Sequence, residues 1–198
     1  TLMTGIKMVS EKLSRCPWCG DDPLYVKYHD EEWGRLVTDD HILFEFLTLE
    51  SAQAGLAWIA ILRKREGYRE AFHNFDVEKV AAMTEEDVER LMKFDGIVKN
   101  RRKIQSAISN ARLFIEIQKE FGSFFNYLRS VFHGDFPVVN HPATMADIPV
   151  TSPESDAIAK DMKKRGFKFF GSTICYAHLQ ATGFVDDHLN DCLCKGQL

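Results

Sequence analysis

The hydrophobic positions of this chain recur mostly three or four residues apart, which is the spacing of amphipathic helices. Residues 40–63 follow this spacing on both sides of Gly55. Because glycine disfavours a helix interior, Gly55 is predicted to divide this stretch into two helices. A long amphipathic helix is predicted over residues 99–121, ending near Gly122.

Two further helices are indicated by residues that typically cap helix ends. Thr84 precedes an apolar series and has Asp87 three residues later, which is the spacing of a capping box. Ser152 is followed by Pro153, and proline is favoured in the first helical turn because its missing N–H would have no partner there. Gly166 is predicted to end that second helix.

The remaining predicted elements are short. Helices are expected over residues 77–83 and from Ser172 to Gly183, and the best strand signal is FPVV at residues 136–139. No internal repeat or low-complexity segment is found. The pattern as a whole predicts an all-α fold.

The composition is that of an ordinary globular protein, with 198 residues, 45% hydrophobic and 27% charged. This length favours one compact domain of at most two lobes. The first fifteen residues lack the apolar core of a signal peptide, and no apolar run approaches the roughly 20 residues of a membrane span. We therefore expect a cytoplasmic protein with no membrane partner.

The net charge of −4 argues against a nucleic-acid binder unless basic residues gather on one face. One basic cluster directly follows the predicted turn Asp95-Gly96-Ile97-Val98, and it consists of Lys99, Arg101, Arg102 and Lys103. A second cluster lies within residues 160–168. A glycine-containing turn can direct backbone N–H groups at a phosphate, and the next helix adds its positive dipole end. These features indicate a DNA-backbone contact; the alternative is two solvated helix faces.

Cysteines and histidines near both ends of the chain suggest a metal site. Cys16 and His29 lie towards one end, and His188 and Cys192 lie towards the other. Two thiolates and two imidazoles suit tetrahedral zinc, and His188 and Cys192 would share one face of a helix. One structural zinc ion would then fasten the two ends together. The alternative is a set of unrelated buried thiols and surface histidines.

The other three cysteines leave this interpretation open in detail. Cys19 and Cys194 are further candidate thiolate ligands. Cys16 and Cys19 also form a C-x-x-C pair, but a thioredoxin-like site requires a preceding strand and a βαβ context that the pattern lacks. Cys175 lies in an apolar stretch and is predicted to be core.

A carboxylate and several aromatic residues form a candidate ligand site. Glu50 lies late in the apolar series of residues 40–63, where a carboxylate is costly to bury unless it has a partner. With Tyr28, Trp33 and Trp58, it would suit a planar cationic ligand, because the rings offer cation–π attraction and the carboxylate a charge-assisted hydrogen bond. The alternatives are an exposed Glu50 and ordinary core aromatics.

Through several segments in the same order, the chain resembles the bacterial 3-methyladenine DNA glycosylase I family, one of the helix-hairpin-helix glycosylases. The resemblance covers the chain from about residue 15 onward. The segments are Arg15-Cys16, DPLYVKYHDEEWG (22–34), QAGLAWIAILRKRE (53–66), FDVEKVAAMTEEDVERLM (75–92), GIVKNRRKI (96–104), DAIAKDMKKRGFKFFGSTICY (156–176) and the tail from Asp187-His188 to Cys192.

The resemblance implies an all-α, helix-hairpin-helix glycosylase fold with a zinc site joining the N- and C-terminal segments. The implied lobes are a hairpin lobe at about 64–140 and a terminal zinc lobe built from 13–63 with 141–198. The implied zinc ligands are Cys16, His29, His188 and Cys192. Cys19 departs from the family pattern and leaves one ligand position open.

The resemblance also implies roles for the other candidate residues. In it, Glu50 is the recognition carboxylate, with Tyr28 as its hydrogen-bonding neighbour. Gly55 and Leu56 match a wedge that approaches the gap left in the duplex, next to Gln53. In the base pocket, the stacking ring matches Trp58, and the neighbouring rings match Trp33 and Trp18.

The implied activity is hydrolysis of the N-glycosidic bond of 3-methyladenine in alkylated double-stranded DNA by a monomeric, monofunctional enzyme that flips out the nucleotide and releases the free base. The cationic base is a good leaving group, so no strong general acid is required. This fits the absence of Asp between Gly96 and Gly134, where many helix-hairpin-helix relatives carry one; Glu116 in this interval is predicted to be exposed. The alternatives are a non-catalytic helix-hairpin-helix DNA-binding module with structural zinc, and a redox protein using Cys16 and Cys19.

Overall fold

The computed structural model describes residues 14–196, and in this range the predicted all-α fold is confirmed. The segment 1–13, which holds most of the stretch examined for a signal peptide, lies outside the described residues. Within the described range, no helix is long and apolar enough to cross a membrane. The helices are α1 (Pro23–Glu31), α2 (Asp40–Gln53), α3 (Trp58–Arg63), α4 (Arg65–Ala71), α5 (Val77–Ala81), α6 (Glu85–Leu91), α7 (Arg101–Phe121), α8 (Phe124–Arg129), α9 (Pro153–Arg165) and α10 (Ser172–Ala181).

Short 3-10 helices and two strands complete the described fold. The 3-10 helices are Pro17–Cys19, His73–Phe75 and Met145–Asp147. The strands are β1 (Val138–Val139) and β2 (Val185–Asp186). They pair in parallel, with Val138 opposite Val185. The strand predicted over 136–139 is therefore confined to its last two residues, and β2 was not predicted because two residues show no alternation.

The predicted helix break at Gly55 is confirmed, with a backbone φ of +81° at that residue. Helix α7 begins at Arg101, two residues later than predicted. The side chain of Asn100 caps it by accepting a hydrogen bond from the backbone N–H of Lys103 at 3.2 Å. The helix ends at Phe121, directly before Gly122, as predicted.

The predicted caps are also confirmed. The backbone N–H of Thr84 donates to Asp87 at 2.8 Å in a capping box at the start of α6. The Ser152 hydroxyl accepts the backbone N–H of Ser155 at 3.1 Å at the start of α9. Gly166 ends α9 in the left-handed conformation. These signals act within one helical turn, which is why the sequence pattern locates them.

Three helices, α1, α4 and α8, were not located from the pattern, although Asp22 and Pro23 provide a cap and a first-turn proline for α1. The helix expected to carry both His188 and Cys192 is wrong. That tail runs through turns, and the backbone N–H of Cys192 donates to the carbonyl of Leu189 at 3.0 Å. The two side chains therefore meet through a turn.

The apolar side chains of the described range form two clusters. The larger is built around α2, α7, α8, α9 and α10. The smaller joins residues from both ends of the chain, among them Cys16, Tyr28, Trp33 and Leu189. Trp58 packs against both clusters, so the two ends of the chain and the helical core meet near this residue.

A close backbone contact fixes the turn between α6 and α7. A Cβ atom on Gly67 of α4 would lie 1.9 Å from the carbonyl oxygen of Gly96, so only glycine fits there. The backbone N–H of Val98 also donates to the hydroxyl of Tyr68 at 3.3 Å. Helix α4 thereby holds the turn that precedes the basic cluster.

Candidate functional site

A cavity of about 390 Å³ opens beside Glu50. Its wall combines side chains from α1, α2, α3 and α10 with Trp18, Trp33 and residues of the segment 145–150. Six of the lining side chains are aromatic, namely Trp18, Tyr25, Tyr28, Trp33, Trp58 and Tyr176. The predicted aromatic residues and Glu50 therefore converge on one open pocket, which excludes the interpretation of Glu50 as a charge on an exposed helix face.

The carboxylate of Glu50 is only 4% exposed and has no hydrogen-bond or ion-pair partner among residues 14–196. Burial raises its pKa to about 8, because desolvation disfavours the charged form. A carboxyl group in this state would be stabilised in its ionised form by a cation or a donor entering the cavity. Glu50 is thus poised for a ligand that brings positive charge.

The rings around Glu50 are arranged at angles to one another. The ring centroids of Tyr28 and Trp58 are 5.5 Å apart, and those of Trp18 and Trp33 are 4.9 Å apart. The indole N–H groups of Trp18 and Trp58 are buried and have no acceptor in the described part of the chain. The wall thus offers aromatic surface, and two of its indoles retain buried, unpaired N–H groups.

The hydrogen bond expected between Tyr28 and Glu50 is not formed in this structure. Tyr28 is buried, and its pKa is raised well above the usual value, first by burial and then by the nearby negative charge of Glu50. The two side chains are therefore neighbours that interact through charge. The hydroxyl of Tyr28 stays available to a third group.

Helix α10 contributes a wall of the cavity that the sequence pattern did not reveal. Thr173, Tyr176, Ala177 and Gln180 all line it. The last three follow Thr173 by three, four and seven residues, so all four lie on one helical face. This recurrence of small and polar residues along an apolar helix was the signal available in the sequence. It was missed because the surrounding stretch is apolar enough to resemble an ordinary core helix.

A buried carboxylate stands behind this wall. Asp187 is fully buried and accepts hydrogen bonds from the hydroxyl of Tyr176, from Nε2 of Gln180 at 2.8 Å and from Nδ2 of Asn140 at 2.7 Å. Two of these donors line the cavity. Asp187 therefore fixes the orientation of Tyr176 and Gln180 on the α10 wall, next to the turn that carries His188.

A second cluster consists of histidines and cysteines that could hold a metal ion. Ligand atoms of His29, His188, Cys192 and Cys194 all lie within 4.8 Å of one another, and all four residues are buried. Nε2 of His29 is 3.5 Å from Sγ of Cys192. Both ends of the chain thus contribute to one cluster, as predicted, with Cys194 in addition to three of the four expected residues.

Each histidine of the cluster is oriented by a carboxylate. Nδ1 of His29 lies 2.8 Å from Asp30, and Nδ1 of His188 lies 2.8 Å from Asp186. Nε2 of His188 is buried with no partner among the described residues. Carboxylate contacts of this kind typically orient metal-bound imidazoles, so the residues present fit a metal ion.

The remaining cysteines are placed around or away from this cluster. Cys16 is buried, and its Sγ accepts the backbone N–H of Leu189 at 3.4 Å, beside the tail that carries His188. Cys19 is also buried, and its thiol donates to the carbonyl of Cys16 at 3.2 Å. Burial of both thiols argues against a redox C-x-x-C site, which requires accessible sulfur. Cys175 is core, as predicted.

The basic residues expected on DNA differ in how they are engaged. Lys99 pairs with Asp95 at 2.6 Å, and Arg101 pairs with Glu89. Arg102 is exposed and makes no ion pair among the described residues. Lys103 is half-buried and binds backbone carbonyls. In the turn itself, the backbone N–H groups of Gly96 and Ile97 find no acceptor within residues 14–196, whereas that of Val98 is used by Tyr68.

The turn that separates α2 from α3 lies beside the cavity. Gln53 lines the cavity, and its Nε2 donates to the carbonyl of Leu56 at 2.7 Å. Gly55 is exposed with a positive φ, and the side chain of Leu56 projects with 39% exposure. An apolar tip on a turn closed by its own hydrogen bonds is therefore presented next to the pocket mouth.

Comparison with known proteins gives consistent matches over nearly the whole chain. The family model described as methyladenine glycosylase matches residues 18–195. DNA-3-methyladenine glycosylase 1 of Escherichia coli (strain K12) is 50% identical over 182 residues, which are 92% of this chain and 97% of the relative. DNA-3-methyladenine glycosylase of Haemophilus influenzae is 44% identical over 92% of this chain and 98% of the relative.

Solved structures of 3-methyladenine DNA glycosylase I also resemble this chain. A crystal structure of 3-methyladenine DNA glycosylase I has a TM-score of 0.88 at 50% identity and covers 92% of this chain and 100% of its own. The Staphylococcus aureus protein of the same name, solved to explain 3-methyladenine recognition, has a TM-score of 0.87 at 39% identity, over 91% of this chain and 96% of its own.

Proposed function

This chain belongs to the methyladenine glycosylase family, and we propose from this that it is a base-excision repair enzyme releasing 3-methyladenine from alkylated DNA. The observation that carries the proposal is the buried, unpartnered carboxylate of Glu50 in an aromatic cavity. A cationic base would supply the missing partner, stack against the rings and be retained there.

The chemistry follows from the charge on the base. In 3-methyladenine within DNA the positive charge already draws electrons from the glycosidic bond. Water attacks the anomeric carbon, the carbon–nitrogen bond breaks, and its electron pair neutralises the base while a proton from the water passes to solvent. Glu50 and Tyr28 recognise the base and Trp58 stacks on it. Neutral adenine gains less from this site, and selectivity follows from that difference.

We place the DNA on the face that carries α6, the turn at residues 92–100 and α7, as a helix-hairpin-helix unit. Free N–H groups at Gly96 and Ile97 and the exposed guanidinium of Arg102 support phosphate binding there. Leu56 on its turn would occupy the space that the flipped nucleotide leaves in the duplex. Flipping costs a few kcal/mol, which these contacts would offset.

We propose one structural zinc ion in the histidine and cysteine cluster. Its ligands would be His29, His188 and Cys192, with a thiolate as the fourth. The resemblance to the family favours Cys16 in that position, whereas the arrangement here favours Cys194. The ion would tie the two ends of the chain together and take no part in the hydrolysis, since the chemistry requires only the cavity and water.

The cavity and the cluster are each built within one chain, which supports a monomer. They also support the proposed division into a hairpin lobe at 64–140 and a terminal lobe of 13–63 with 141–198. All the residues that line the cavity belong to the terminal lobe, so the cavity would lie within that lobe.

Incubation with duplex DNA treated with a methylating agent, followed by chromatographic identification of released bases, tests the proposed function. We expect free 3-methyladenine and no release from unmethylated DNA. A protein that binds the duplex and releases nothing would instead be the non-catalytic DNA-binding module. The convergence of Tyr28, Glu50 and Trp58 on one open cavity favours the enzyme over that module.

A further inference from the structure

The charged ammonium group of Lys103 forms hydrogen bonds within the protein. Its ammonium group donates to the carbonyl of Ala52 at 2.9 Å and to the carbonyl of Ala54 at 2.6 Å. Ala52 lies in the last turn of α2, and Ala54 is the residue that follows the helix. The lysine itself lies in the first turn of α7. One side chain therefore joins the start of α7 to the turn that carries Gly55 and Leu56.

The location of this charge is informative because it is unfavourable for α7 alone. A cation in the first turn of a helix opposes the positive end of the helix dipole, whereas a cation at the end of α2 complements the negative end. Carbonyls in the last turn of a helix lack partners within the helix, so Lys103 satisfies groups that would otherwise need water. Partial burial lowers the pKa of Lys103, yet two short hydrogen bonds retain it there.

Lys103 also makes a contact with an aromatic ring. The ring of Phe169 lies 5.9 Å from its ammonium, and Phe169 has a backbone φ of +55°. Asn110 of α7 fixes the preceding residue by binding both the N–H of Lys168 at 3.0 Å and its carbonyl at 3.1 Å. An unfavourable backbone conformation is thus maintained next to the lysine by a buried amide.

We propose that Lys103 is a positioning residue that sets the place of the Gly55–Leu56 turn relative to the DNA-binding end of α7. This inference rests on the proposed function, since the position of the turn affects excision only if a nucleotide is flipped out of the duplex. Gln53 closes the turn internally through the carbonyl of Leu56, but only Lys103 links it to α7 among the hydrogen bonds of the described residues. Loss of this link would misplace Leu56, whereas Glu50 and Tyr28, which make no hydrogen bond with Lys103, would keep their places in the cavity.

The test compares Lys103→Met, which keeps the alkyl chain and removes the donors, with Lys103→Arg and with Lys119→Gln. Lys119 lies near the far end of α7, about 25 Å away at 1.5 Å per residue. Single-turnover excision from methylated duplex at saturating protein is expected to fall about tenfold to a hundredfold in Lys103→Met, because small misplacements of reacting groups have effects of that size. Lys103→Arg should recover part of the rate, and Lys119→Gln should match the parent.

Two further measurements separate positioning from phosphate binding. Affinity for free 3-methyladenine and the salt dependence of duplex binding should both stay at parental values in Lys103→Met, while amide exchange at residues 54–57 becomes faster. A salt slope reduced by about 0.9 with an unchanged saturating rate would overturn the proposal, because it is the signature of one lost phosphate contact. An unchanged rate in Lys103→Met would also overturn it. Failure of the proposed function is distinguishable, since the parent protein would then release no base.

Discussion

At the scale of single residues, the burial of Glu50 without a partner favours a ligand that brings positive charge into the cavity. A carboxyl group enclosed by aromatic rings is most stable as the neutral acid, and a cationic base reverses this preference. We therefore expect this residue to influence recognition of the base, the pH dependence of stability and discrimination against neutral adenine.

Glu50→Gln is expected to weaken binding of 3-methyladenine about tenfold to a hundredfold, or about 1–3 kcal/mol, because a charge-assisted hydrogen bond becomes a neutral one. Equilibrium binding and excision from methylated DNA measure the change. Trp58→Ala should weaken binding of 3-methyladenine and of neutral adenine alike. Glu50→Gln should instead narrow the difference in affinity between these two bases. Glu116→Gln, on an exposed face of α7, is the matched control. Parental activity in Glu50→Gln would contradict the assignment.

Glu50 also predicts how stability depends on pH. Its pKa is raised from 4.5 to about 8, so the folded protein binds more protons than the unfolded chain between these values. The contribution of Glu50 to the free energy of unfolding is therefore fully present below pH 4.5 and is lost as the pH rises through 8. Urea unfolding of the parent and of Glu50→Gln across this range should show that the difference between their free energies of unfolding declines as the pH rises. A constant difference would mean that the carboxylate is solvated.

At the scale of elements, the α6–turn–α7 segment combines free backbone N–H groups with basic side chains that are not equivalent. Arg101 is already paired with Glu89, and Lys103 is bound to carbonyls. Arg102 remains exposed and carries the charge that we expect to reach a phosphate. The four basic residues are therefore expected to contribute unequally to DNA binding.

Arg102→Gln is expected to lower affinity for duplex of any sequence and to reduce the slope of log affinity against log salt by about 0.9, as loss of one phosphate contact requires. Arg101→Gln should have a smaller effect because its charge is partly neutralised by Glu89. Titrations at several salt concentrations measure both slopes. If Arg102→Gln leaves the slope of the parent intact, this part of α7 is a solvated face.

At the scale of the whole molecule, the two ends of the described chain meet at the histidine and cysteine cluster. The smaller hydrophobic cluster, two carboxylate-oriented histidines and the buried thiols all combine residues from both ends. A metal ion there would stabilise the folded chain, because the unfolded chain does not hold the ligands together. The cavity wall on α1 would depend on it indirectly, since Tyr28 and His29 are adjacent.

We expect one zinc ion per chain by elemental analysis, and chelation should lower the melting temperature more than it alters base recognition in protein that stays folded. His188→Ala should lose the metal, and Cys19→Ser should retain it. Cys16→Ser and Cys194→Ser decide the fourth ligand, because only the ligand variant should lose zinc. Freshly purified parent protein without metal would reject the site.

Local sequence signals were sufficient to predict the helical fold class, the break at Gly55, the caps at Thr84 and Ser152, and the carboxylate and aromatic residues of the cavity. These features depend on signals within one or two helical turns, or on side-chain chemistry that does not change with position. The resemblance to the glycosylase family also lay in contiguous segments.

Contacts between distant parts of the chain became visible only in the folded structure. The fold brings Gln180 and Tyr176 into the same cavity as Glu50, adds Cys194 to the histidine and cysteine cluster, and directs Lys103 to the end of α2. Each case includes a contact between segments that are dozens of residues or more apart, as between Cys194 and His29, and this contact depends on how the segments pack. Helical periodicity records which face of a helix is apolar, but not which distant segment will cover it.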